Sequence, residues 1–345
     1  MIKPASADRS RIAELDVLRG IAAVMVMIFH HTVIFQNMFG DGRAPGLQFG
    51  VFAVHLFFMI SGFVIFMTLA RTRSALDFAV SRGSRLFPVF WVAVLLTQTV
   101  VWCAPLPGLT VSWRDAMWNL TMLAQPLRVP MVDVVYWSLV IELAFYALML
   151  ALFLAGGLQR VERIVVPWLL VQLIAAGAAR WTGREIPQAL SVLLLLKYAH
   201  LFLAGILCHR IRTAGPTPAL HALLAACCAV HFVIQGVWAG LVGLVWFALF
   251  YALARQRLGW INARPLVFLG TISYSLYLVH QNIGYVVMRA LAAFPRPVQL
   301  AAAAATVMLA ATLLTFLVEQ PALRLIRKFY RRHRLENGSP AVEST

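Results

Sequence analysis

The sequence is poor in charge and poorest in acid. Only 12% of its 345 residues are charged, and 13 Asp and Glu stand against 29 Lys and Arg. Soluble domains carry about 25% charged residues. Half that share, beside 61% hydrophobic residues, argues against a water-soluble globule, because one aqueous core cannot hide so much apolar surface. Cysteine is scarce too. Cys103, Cys208, Cys227 and Cys228 lie in or beside apolar runs, with no C-x-x-C pair and no His at zinc-ligand spacing, so no metal site is expected. A G-x-S-x-G elbow, a P-loop and an H-E-x-x-H motif are all missing, which sets aside the reactions those motifs serve. The first apolar run is too long for a cleaved leader, is interrupted by Arg19 and has no small-residue cleavage site after it, so it is expected to stay in the mature protein.

What the sequence has in plenty is long apolar runs. A helix crossing roughly 30 Å of hydrocarbon needs about 20 mostly apolar residues. The sequence predicts about ten such spans, near 16–36, 50–70, 84–104, 135–156, 164–180, 190–209, 218–234, 236–254, 267–291 and 298–318, with 113–127 as a short re-entrant or interfacial helix. With a cytoplasmic N-terminus, most Lys and Arg fall inside, in the segments 3–11, 71–85, 160–163, 210–212, 255–264 and 324–334, while Arg43, Arg114, Arg128, Arg180, Arg184, Arg289 and Arg296 fall outside. That bias follows the positive-inside rule. The expected fold is therefore an all-α polytopic membrane protein with about ten transmembrane helices and both termini cytoplasmic, multi-pass in the cell inner (plasma) membrane. Its expected parts are an N-terminal tail over 1–15, a membrane domain over 16–321 and a basic tail over 322–345 that is disordered from 336. The positive excess is then mainly topological: it calls for anionic membrane lipids rather than nucleic acid as partner.

Polar groups inside a bilayer are costly and mark function by default. Arg19 and His30 are eleven residues apart, close to three helical turns, which puts both on one face about 16 Å apart along the axis. His31 points about 100° away, as a packing or supporting residue. Arg82 and Arg85 share a face at i and i+3, a pairing suited to anionic oxygens, phosphate above all. Glu142 lies deep in its span with Ser138 and Tyr146 at i−4 and i+4, and a buried carboxylate must be paired or protonated. Its depth, about 10 Å from the outer side, matches that of His30, so a His30–Glu142 pair is geometrically possible. Ser61, beside Gly62, is equally suited to close helix packing and to binding. His280 sits mid-span in a polar stretch, and Lys197, His200 and His231 carry no assigned role.

Six segments in chain order carry a resemblance. They are Leu15-Asp16-x-Leu18-Arg19-Gly20-Ile21-Ala22-Ala23 leading to His30, Leu56-Phe57-Phe58-x-x-Ser61-Gly62-Phe63, Arg82-x-x-Arg85-x-x-Pro88, Trp137-Ser138-Leu139-x-x-Glu142-x-x-Phe145-Tyr146, Ser273-Tyr274-Ser275-x-Tyr277-Leu278-x-His280 and Glu319-x-Pro321. Together they resemble the acyltransferase-3 family, integral membrane O-acyltransferases of bacterial type that modify cell-surface sugars and some small molecules. Three positions depart from its pattern: His55 stands for an acidic residue, Ala53 for a Gly and Asn282 for a Pro. Because the chain ends soon after its last expected span, the extra periplasmic hydrolase-like domain that some members append is expected to be lacking.

The resemblance implies an acyl-CoA donor, acetyl-CoA first, arriving from the cytoplasm with no permanently bound cofactor. Its phosphates would meet Arg82 and Arg85, with Arg19 at the entrance, and its pantetheine arm would run toward His30. His30 is then general base or transient acyl carrier, Glu142 orients it and Tyr146 supports Glu142. The acceptor would be a hydroxyl of a cell-surface or lipid-linked saccharide. The alternative is a proton-coupled transporter or flippase of a glycolipid or small molecule, with Arg19, Glu142 and His30 as its relay.

Overall fold

A computed structural model describes residues 12–40 and 46–336. The expected N-terminal tail and the end of the C-terminal one, together with Arg43, lie largely outside them. The described chain is all helical, with no strand. In order it runs α1 (Ala13–Phe29), a π-turn (His30–Ile34), α2 (Phe35–Phe39), α3 (Ala53–Leu69), α4 (Ala75–Cys103), α5 (Trp113–Asn119), α6 (Trp137–Leu154), α7 (Glu162–Thr182) and α8 (Gln188–Leu193). It continues through α9 (Ala199–Ala214), α10 (Pro218–Gln235), α11 (Val237–Ala254), α12 (Arg264–Ala290), α13 (Arg296–Leu314), a second π-turn (Thr315–Glu319) and α14 (Gln320–Glu336). The starts follow capping chemistry: Ser74, Ser112 and Thr217 each accept a backbone N–H of the helix they begin.

Among the described residues eight helices are long and apolar enough to cross a membrane, so the chain is a multi-pass membrane protein. Two of the expected spans do not meet that measure, for different physical reasons. The stretch expected at 190–209 is broken: Leu195 takes a left-handed backbone, φ 53°, and α9 has only 16 residues. The carbonyls freed by the break are held by α7 side chains, with Trp168 Nε1 donating to Leu194 O at 2.9 Å and Gln172 Nε2 to Leu196 O at 2.9 Å. Non-helical backbone at membrane depth requires such partners.

The other is α12, long enough at 27 residues but too polar. Ser273, Ser275, His280, Gln281 and Asn282 are all buried in it, because it runs through the protein interior rather than against lipid. It packs on α1, α4 and α13. The approach of α1 to α12 needs two glycines: a Cβ on Gly20 would meet the Gly270 nitrogen, and one on Gly270 the Asp16 carbonyl oxygen. Gly62 and Gly205 do the same for α3 and α9, against Phe202 O and Met59 O.

The segment expected as a basic tail from 322 is helical to 336 and docked. Tyr330 and Arg334 of α14 both donate to Asp77 in the first turn of α4, at 2.9 and 2.6 Å.

Candidate active site

Two polar groups lie along α12. The first is built on the π-turn that follows α1. Wider winding at a π-turn leaves carbonyls short of helix partners and is frequent at functional sites. Here Tyr285 Oη donates to His30 O at 3.3 Å and Arg296 to His31 O at 2.9 Å. The turn brings both histidines onto α12: His31 Nε2 donates to the His280 carbonyl at 2.8 Å, and His30 Nδ1 meets His280 Nε2 at 2.7 Å with the rings stacked.

This chain of bonds assigns the protons of neutral rings. His280 Nδ1 faces the Tyr277 carbonyl at 2.9 Å, and since a carbonyl only accepts, that nitrogen carries the hydrogen. His280 Nε2 must then accept, His30 Nδ1 must donate, and His30 Nε2 is left with its lone pair. His280 is fully buried while His30 is partly exposed.

The second group is a cavity of about 90 Å³ whose lining includes Arg19, Arg82, Arg85, Ser61, Ser138, Glu142, Tyr146, Tyr274 and Tyr277. Sequence positions 19, 61, 82, 85, 138, 142 and 146 thus come together from α1, α3, α4 and α6. Arg19 is fixed to Asp16 at 3.2 Å. Tyr146 Oη and Ser61 Oγ both donate to Glu142 Oε1, at 2.5 and 3.0 Å, and the Glu142 charge acts on Arg19 and Arg82. Arg82 keeps a buried Nε without a partner. On the Ser-Gly step of α3, Gly62 serves close packing and Ser61 holds Glu142.

The pairing expected between His30 and Glu142 is not formed: His280 takes the place beside His30, and Glu142 turns to the arginine cavity. The reason is that α12 packs on α1 and presents the His280 ring at the π-turn, while Glu142 is held by Tyr146 and Ser61. Ser138 does not join Glu142 either. It meets Tyr277 Oη at 2.6 Å, and Tyr277, whose ring centre is 5.8 Å from that of His280, separates cavity and dyad.

Sequence reasoning missed Glu319. It is buried in the second π-turn, where Ser275 Oγ donates to its Oε2 at 3.2 Å and Thr315 Oγ1 donates to Ser275 at 2.9 Å. Its charge acts on Arg85 and Arg19, making it a second carboxylate balancing the arginines. The Glu-x-Pro step was the only signal.

Two of the departures from the family pattern find their partners here. Asn282, in place of a proline, donates its backbone N–H to Asp133 at 3.2 Å and its amide to Val132 O at 2.8 Å; proline has neither donor. Asp133 is fully buried, and burial lifts its carboxyl to about 7 against those N–H bonds. His55 packs edge-on to His231, 5.0 Å between ring centres, and His231 is bonded to His200 at 2.9 Å. That histidine cluster lies apart from the cavity lining, and among the described residues no group of side chains is arranged to hold a metal.

Comparison with known proteins places the chain in a family. A family model described as an acyltransferase domain matches residues 12–319. An O-acetyl transferase of Shigella phage Sf6 is 35% identical over 86 residues, 24% of this chain and 24% of the relative, so the match spans about a quarter of that protein. No solved structure matches.

Proposed function

The chain belongs to the acyltransferase-3 family, and from that premise we propose that it moves an acyl group from acyl-CoA, acetyl-CoA first, to a hydroxyl of a cell-surface or lipid-linked saccharide. The observation that carries the reading is the His30–His280 dyad, one tyrosine away from a cavity that holds three arginines. The name of the phage relative, an O-acetyl transferase, supports acetyl as the group moved.

His30 Nε2, the nitrogen with the free lone pair, takes the proton of the acceptor hydroxyl as that oxygen attacks the thioester carbonyl. The new C–O ester bond forms, the C–S bond breaks, and the thiolate leaves with the proton from His30. His280 acts as a positioning residue: it holds the ring in the tautomer that leaves Nε2 basic, and its own Nε2 shares the hydrogen of the imidazolium. Arg82 and Arg85 take the donor phosphates, and the buried unpaired Nε of Arg82 is a donor awaiting such an oxygen. Glu142, held by Tyr146 and Ser61, keeps Arg19 and Arg82 from being a bare cluster of like charge.

The distribution of basic residues supports a plasma-membrane protein with cytoplasmic termini, the donor entering at the end carrying Arg82 and Arg85 and the acceptor approaching from the His30 end. Mass spectrometry of surface polysaccharide from cells with and without the protein should show an acetyl increment that is lost in a His30→Ala variant of normal abundance. Full acylation by that variant would overturn the mechanism.

A further inference from the structure

We propose that Arg327 and Arg331 on α14 form a second phosphate site, which holds the 3′-phosphorylated nucleotide end of the donor outside the cavity mouth. The assignment rests on the acyl-CoA reading above and extends it to residues outside the family-matched segment, which ends at 319.

The arginine cavity is about 90 Å³, enough for the narrow end of a thioester arm and too little for a nucleotide, whose share of the donor must stay outside. Beside α4, which carries Arg82 and Arg85, is α14, held there by Tyr330 and Arg334. Its exposed cations Arg324, Arg327, Lys328, Arg331 and Arg332 line an open surface hollow. None of the five is in an ion pair among the described residues.

Charge links the two places. Arg85 acts electrostatically on Arg19 and Arg82 within the cavity and on Arg327 outside it, and Arg327 in turn feels Arg331. The result is a track of like charges leading out of the site, a costly arrangement that a polyanion relieves. At 100° per residue Arg324, Arg327 and Arg331 fall within about 60° of one another, with Lys328 about 40° and Arg332 about 80° to the other side of Arg324. The bonds of Tyr330 and Arg334 to Asp77 fix the helix on α4, so the arginine face is held in place before any ligand arrives.

Phosphate on a lipid headgroup offers the same chemistry, and the test separates the sources. Binding is measured on the full chain in nanodiscs of zwitterionic lipid, with CoA, 3′-dephospho-CoA and adenosine 3′,5′-bisphosphate as probes. The wild type should bind CoA about tenfold or more tighter than 3′-dephospho-CoA. Arg327→Gln/Arg331→Gln should lose that preference, while Arg255→Gln/Arg257→Gln, which removes the same charge from the exposed loop after α11, should keep it.

Retention of both affinity and preference by Arg327→Gln/Arg331→Gln overturns the assignment. So does a variant that keeps CoA binding but no longer adheres to vesicles containing phosphatidylglycerol, which would make the cations a lipid site. A wild type that binds CoA and 3′-dephospho-CoA equally overturns this site alone. One that binds none of the three probes overturns the donor reading and this site with it.

Discussion

At the residue scale the proposed mechanism turns on one ring nitrogen, Nε2 of His30. His30 and Arg19 were placed on one helix face by spacing, and Arg82 with Arg85 by theirs; both readings needed only the 3.6-residue period. The partner of His30 was not legible, because the two rings that meet are 250 positions apart. Glu142 looked like the natural partner by depth, yet depth in a bilayer fixes one coordinate and leaves the other two free. The dyad makes a kinetic prediction. His280→Ala should lower kcat roughly 10²-fold or more and leave the donor KM near its wild-type value, as expected when a base loses its positioning. Arg85→Ala should raise the donor KM about tenfold with a smaller effect on kcat. Steady-state kinetics of the purified variants checks both, and the reverse pattern would exchange the roles of the two groups.

Elements contribute where helices depart from regularity or come unusually close. Both π-turns adjoin α12, one bringing His30 and His31 to it and the other Thr315 and Glu319. Each shifts the register of a long helix so that an extra polar side chain reaches the interior. Apolar periodicity reads across such a turn without noticing it, which is why the first span was expected as one regular helix. Close approach is tested by contrast. Gly20→Leu should unfold the protein or lower its thermal midpoint severely, since even a Cβ there meets α12 backbone. Gly83→Ala, on α4 with open space around it, should instead stabilise by about 1 kcal/mol. Thermal unfolding in one detergent measures the pair, and equal effects would mean that α1 and α12 do not pack as described.

The molecule as a whole is a membrane bundle wrapped around one polar helix, and its orientation decides which side supplies which substrate. Cysteines placed at Arg114 and at Arg160 in a cysteine-free background should be labelled by an impermeant maleimide from outside and from inside the cell respectively; reversed labelling would move the donor entrance to the opposite face. Composition alone settled the solvent: so little charge against so much apolar surface leaves lipid as the only medium in which the chain can fold. Spacing along single helices settled which polar residues share a face, because that depends on local geometry. Only the tertiary structure decided what each face meets. It put His280 rather than Glu142 against His30, gave Glu142 to the arginines, added Glu319, and docked α14 on α4 through Asp77. Those outcomes depend on how close backbones approach at Gly20 and Gly270 and on where a π-turn shifts the register. Both are properties of packing between helices distant in the chain, and no local pattern carries them.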